Sequence, residues 1–125
     1  MNAQRLHELL TQIGGVRVAV FGDFCLDVYW TVDPRLSETS IETGKPTVPV
    51  RQQRCSLGGA GNVVANLVAL GVRQVQAVGV LGDDLFGREM RRLFADPEVH
   101  TEGLLVQHSD WTTPAYCKPV TGGEE

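Results

Sequence analysis

Cysteine is scarce in this sequence. Cys25, Cys55 and Cys117 make an odd number with no Cys-x-x-Cys pair, which argues against a disulfide framework and offers no zinc-ligand spacing. They read as free thiols, buried or half-buried. Histidine is equally rare, and His7, His100 and His108 are spread without ligand spacing, so surface or structural roles fall to them. Long apolar runs are missing: Val16 to Phe21 and Val63 to Leu70 fall far short of the roughly 20 residues of a membrane span. Arg5, His7 and Glu8 stand where a signal peptide needs its apolar stretch. A basic excess is also absent. The net charge is -4 and the Lys and Arg residues are scattered, leaving no field to hold a nucleic-acid backbone. A cytoplasmic protein without nucleic-acid or membrane partners is expected.

What is present is ordinary for a folded chain, with 42% hydrophobic and 21% charged residues. A chain of 125 residues buries roughly two thirds of its unfolded surface, enough for one domain or part of one.

Leu6, Leu9, Leu10 and Ile13 recur at helical spacing and are followed by Gly14-Gly15, predicting an amphipathic lead-in helix. Val16 to Phe21 predicts a buried strand that delivers the polar Gly22-Asp23 at its C-terminal end, where open α/β sheets bind ligands. Leu26 to Val32 and Thr47 to Gln53 are extended candidates flanking a Pro-, Ser-, Thr- and Gly-rich loop from Asp33 to Pro46. Pro49 suits an edge strand, so these two segments are expected to project as a flap. Asn62 to Leu70 is apolar nearly all round and closed by Gly71, which predicts a buried helix. A strand over Val75 to Leu81, an amphipathic helix over Leu85 to Phe94 with Phe86, Met90, Leu93 and Phe94 inward and Pro97 past its end, a strand over Leu104 to Gln107 and an extended return over Thr112 to Val120 complete the chain. This alternation argues for an α/β fold with a mainly parallel sheet.

Gly58-Gly59-Ala60-Gly61-Asn62 stands between an extended segment and a helix. Absent Cβ atoms admit a ligand to the backbone, and a helix start offers N–H groups to oxygen ligands. A tight turn or close packing would use the same glycines. The dinucleotide fingerprint fails because Val64 occupies its third glycine position, and no G-x-x-x-x-G-K-[ST] run exists.

The combination along the chain is more specific. Gly22-Asp23-Phe24-Cys25-Leu26-Asp27, Gly58-Gly59-Ala60-Gly61-Asn62, Asn66, Gly71 and Gly79-Val80-Leu81-Gly82-Asp83-Asp84-Leu85-Phe86-Gly87 together resemble the ribokinase (PfkB) family of sugar kinases, over Val16 to about Val120. The resemblance implies a ribokinase-like sheet with a β flap, residues 1–125 forming the N-terminal part of the kinase domain and the flap taking segments of about 26–54 and 112–121. It implies ATP-dependent phosphorylation of a sugar or sugar phosphate, with Mg2+ bridging the phosphates, and a homodimer contact through the flap. Asp27, Gly58, Gly59 and Asn62 become sugar-site candidates: a carboxylate accepts from vicinal hydroxyls, and an amide both donates and accepts. A solvated strand-end carboxylate for Asp27 and a helix cap for Asn62 are the structural alternatives. Arg35-Leu36-Ser37 through Val48-Pro49-Val50 is most like the heptose-phosphate kinases, making Arg35 the candidate for the sugar's phosphate, with Lys45 and Lys118 behind it. The family's general-base aspartate belongs to a later G-A-G-D motif. Gly59-Ala60-Gly61-Asn62 mimics that motif, but an amide cannot take up a proton as a carboxylate can. No catalytic base is therefore expected in this chain, which ends on Thr121-Gly122-Gly123-Glu124-Glu125 and reads as a fragment, inactive alone, of the sugar-binding half. The rival readings are a ribose, fructose or adenosine kinase of the same family, or a non-catalytic sugar-binding or dimerisation module.

Overall fold

The computed structural model describes residues 2–95 and 98–121; Pro97 and the terminal 122–125 lie outside the described residues. In chain order the elements are α1 (Ala3–Ile13), β1 (Arg17–Phe21), β2 (Phe24–Val32), a 3-10 turn (Pro34–Leu36), β3 (Glu38–Thr39), β4 (Pro46–Thr47), β5 (Val50–Gly58), α2 (Gly59–Ala69), β6 (Gln74–Gly82), α3 (Leu85–Leu93), β7 (Val99–Gln107) and β8 (Ala115–Thr121).

Local chemistry sets the helix ends. The Asn2 side chain caps α1 by accepting from Arg5 N–H at 2.8 Å. Gly71, at φ 95°, closes α2: its N–H donates to Val68 O at 2.8 Å and that of Val72 to Leu67 O at 3.1 Å, a pairing that a left-handed residue past the helix end permits.

The strands form two larger sheets and the small β3–β4 hairpin. One sheet is parallel, in the order β1-β6-β7, as the strand–helix alternation predicts. The other runs β5-β2-β8, with β2 antiparallel to β5 and parallel to β8. β5 sits at an edge and begins just after Pro49, where a missing N–H does no harm. The two sheets share one core. Phe24, Leu26 and Val28 from the start of β2 are fully buried with Val64, Val75, Ala77, Leu81, Met90 and Leu104. Phe24 meets Phe94 edge-on, ring centres 6.0 Å apart.

Two expectations of burial are corrected. β1 is an edge strand with alternate residues open, and Phe21 is 85% exposed, because the pleat sends only Val18 and Val20 toward the core. Helix α2 buries only Gly61 and Val64, since the strands it packs on cover one stripe of a helix and leave Val63 and Leu70 about half exposed.

Candidate functional site

Strand alternation separates chemistry from core on β2. Leu26 and Val28 are fully buried, so Asp27 and Tyr29 project from the opposite face. The register surrounds them: Asp27 lies between Ser56 on β5 and Tyr116 on β8, and Tyr29 between Arg54 and Lys118. Lys118 Nζ donates to Asp27 Oδ1 at 2.7 Å and to Tyr29 Oη at 3.5 Å. Its ammonium stands 4.9 Å from the Tyr29 ring centre, and the Arg54 guanidinium carbon 4.4 Å from it. The hydrogen bond to Asp27 raises the Lys118 pKa against the opposing effect of desolvation, so Lys118 is a cation throughout the neutral range.

The glycine turn abuts this carboxylate. Gly58 pairs with Cys25 across the β2–β5 ladder. A Cβ there would stand 2.9 Å from Cys25 Sγ and 3.4 Å from Asp27 Oδ2, so glycine is required by space, its φ of -115° being open to any residue. Gly59 is required twice over: its φ is 51°, and a Cβ would lie 2.5 Å from Asp23 O. Ala60 N–H donates to the same Asp23 O at 2.9 Å, tying the loop after β1 to the start of α2. Below the turn, burial first and the carboxylates of Asp23 and Asp27 next push the Cys25 thiol pKa up, which keeps it protonated and unreactive.

Asn62 is exposed in the first turn of α2. The N-cap is Gly58, without a side-chain cap, so the capping alternative for Asn62 does not hold. Asp27, Gly58 and Gly59 thus meet where β2, β5 and α2 join, and Asn62 follows on the exposed side of the first turn of α2. Arg35 is not brought to them. Its side chain, 88% exposed, is held by Asp33 through bonds of 2.9 Å from Nε and from Nη2, and Asp33 lies six residues beyond Asp27 on the β2 path, about 20 Å at strand rise. Lys45 sits at the exposed end of the β3–β4 hairpin.

Sequence reasoning did not find the partners of Asp27. Ser56 and Tyr116 come to flank Asp27, and Arg54 to flank Tyr29, only through strand register, and Lys118, weighed as a phosphate contact, donates to the Asp27 carboxylate. The period-two pattern of β2 carried a signal for Tyr29. Another missed group lies where β6 and β7 end: Asp83 accepts from Arg88 at 3.5 Å and lies 3.1 Å from His108 Nδ1. Among the described residues no set of three or more His, Cys, Asp or Glu side chains converges to hold a metal ion, and no helix is long and apolar enough to cross a membrane.

The family described as pfkB family carbohydrate kinase matches residues 17–124. The chain belongs to that family. It is 38% identical over 108 residues to the bifunctional protein HldE of Mesorhizobium japonicum, covering 86% of this chain and 21% of that protein. To the D-beta-D-heptose 7-phosphate kinase of Bordetella bronchiseptica it is 40% identical over 102 residues, covering 82% and 31%. Among solved structures, the fructokinase of Xylella fastidiosa with bound ATP superposes with a TM-score of 0.57 at 25% identity, over 83% of this chain and 29% of that one. Aminoimidazole riboside kinase of Salmonella enterica has a TM-score of 0.57 at 24% identity, over 82% and 28%, and shares the fold. The chain therefore spans between a fifth and a third of the length of these relatives. The parallel β1-β6-β7 sheet with its flanking helices is the ribokinase-like α/β layer.

Proposed function

We propose that this chain carries the sugar-binding half of an ATP-dependent carbohydrate kinase acting on a heptose phosphate or a similar sugar phosphate. The observation that carries the reading is the closeness of Asp27 to the glycine turn, where Oδ2 lies 3.4 Å from the position of a Gly58 Cβ, within a chain of the pfkB family. A carboxylate beside backbone stripped of side chains accepts from vicinal hydroxyls while the ring approaches the main chain. Asn62, one turn into α2, is assigned to a further hydroxyl. The heptose acceptor is supported by likeness to the heptose 7-phosphate kinase at 40% identity.

ATP, when bound, supplies the phosphoryl group. Mg2+, when bound, would bridge the phosphates of ATP, and the work assigned to this chain is to bind and orient the acceptor. Arg35 remains the phosphate candidate from sequence, held meanwhile on Asp33. The flap sheet exposes β5 and β8 as its edges, the surface we assign to a second copy, and the site of action is taken as the cytoplasm.

The test is ATP turnover by the gene product carrying this chain, wild type and Asp27→Ala, with heptose 7-phosphate, ribose, fructose and adenosine as acceptors. Turnover of heptose 7-phosphate that falls by about tenfold to a hundredfold in kcat/KM in the variant is expected, the worth of a hydrogen bond to a charged group. Turnover of another acceptor reassigns the substrate within the family. Sugar binding without turnover points to a non-catalytic module.

A further inference from the structure

A carboxylate that reads a sugar hydroxyl needs a fixed plane, because the hydroxyl must meet an oxygen lone pair at a usable angle. On β2 itself the neighbours Leu26 and Val28 face the core and offer Asp27 no polar support. The support comes from β8. Lys118 Nζ holds Oδ1 at 2.7 Å across 91 residues of sequence. The ammonium is itself held by Tyr29, 3.5 Å from its hydroxyl and 4.9 Å from its ring centre. The other carboxylate oxygen, Oδ2, faces the glycine turn. One oxygen is thus given to the lysine and the other to the space beside α2. The pair remains within reach of a ligand, with side chains 44% and 27% exposed.

We propose that Lys118 is a positioning residue for Asp27, fixing the carboxylate plane through Oδ1 so that Oδ2 is presented to a polyol hydroxyl. This rests on the reading that Asp27 binds the sugar. It assigns Lys118 to the hydroxyl end of the substrate, whether or not that substrate carries a phosphate. It also makes β8 part of the sugar site, since the parallel β2–β8 register sets Tyr116 beside Asp27 and Lys118 beside Tyr29.

The experiment uses the gene product carrying this chain, with calorimetric binding of heptose 7-phosphate and of the same heptose without its phosphate, and turnover measured on the same samples. The variants are Lys118→Met, Lys118→Arg, Asp27→Asn and the double variant. Lys118→Met is expected to weaken binding of both sugars by the same factor, about tenfold. Lys118→Arg recovers most of it, and in the Asp27→Asn background Lys118→Met changes binding no further. A loss confined to the phosphorylated sugar overturns the proposal and makes Lys118 a phosphate contact; so does a loss that adds in full to that of Asp27→Asn. Should Lys118→Met fail to fold, Lys118→Gln carries the comparison, an equal loss on both sugars supporting the proposal and an unequal one overturning it. Wild-type binding in Asp27→Asn would remove the sugar reading of Asp27 itself. A damaged Asp27→Asn beside an intact Lys118→Met would remove only the positioning role.

Discussion

Asp84 accepts the backbone N–H of Thr113 at 2.7 Å across 29 residues of chain, while its other oxygen caps α3 by accepting from Gly87 N–H, also at 2.7 Å. The Thr113 hydroxyl returns across the same gap by accepting from Gly82 N–H at 2.8 Å. One carboxylate therefore starts a helix and fastens the segment that leads into β8, the strand bearing Lys118.

Replacing Asp84 by Ala removes a helix cap and a charge-assisted clamp together. The expected cost is about 2 kcal/mol of folding stability, read by urea denaturation.

The same residue sets a pH dependence. Burial alone would raise the Asp84 carboxyl, but the N–H groups of Gly87 and Thr113 and the Thr113 hydroxyl hold its pKa below the ordinary value of 3.8. A depressed folded pKa means that the unfolded chain binds more protons, so the stabilisation is complete above the unfolded pKa and is lost as pH falls through the folded one. Wild-type stability should fall more between pH values of about 5 and 3 than that of Asp84→Asn, measured by denaturant titration at each pH.

Gly59→Ala forces a side chain into a left-handed residue against Asp23 O. The backbone term alone is about 1 kcal/mol, and the clash adds to it, so a loss of about 2 kcal/mol or more is expected. Because the turn must shift to relieve the contact, sugar binding should weaken with it. A variant with wild-type melting temperature and wild-type affinity would show that the turn has room the geometry denies.

Asp33 gives a spectroscopic check on the flap. The hydrogen bonds from Arg35 lower its pKa to about 2. Carbon-detected NMR titration should place its midpoint there, and Arg35→Gln should return it toward the ordinary value of 3.8. An unchanged midpoint would show that Arg35 is not held by Asp33 in solution and is available elsewhere.

Much of the architecture was legible in residue order. The periodicity of Leu6, Leu9, Leu10 and Ile13, the inward set of Phe86, Met90, Leu93 and Phe94, and the glycines that end helices and strands are local signals acting over a turn or two. They led to the elements, to their α/β alternation and, with the resemblance along the chain, to the family. Burial was less legible: Phe21 and Val63 are as apolar as core residues, and only the arrangement of layers left them open.

At the candidate site, Asp27 and the glycines could be named in advance only through the resemblance along the chain; the glycine turn alone fits close packing equally well, and Asp27, expected at a strand end, lies inside β2 with a strand on either side. Its partners there could not be named. Lys118 is chemically one of several scattered cations, and nothing near it in sequence marks it out. What selects it is the parallel register of β2 against β8, a pairing between segments some 90 residues apart. With Leu26 and Val28 buried on one face, that register is what brings the two together, since a slip of one residue between the strands would put Asp27 and Lys118 on opposite faces of the sheet. Residue types and local spacing determined which groups exist and which elements carry them; long-range strand pairing, set by burial of apolar side chains, decided which of them meet.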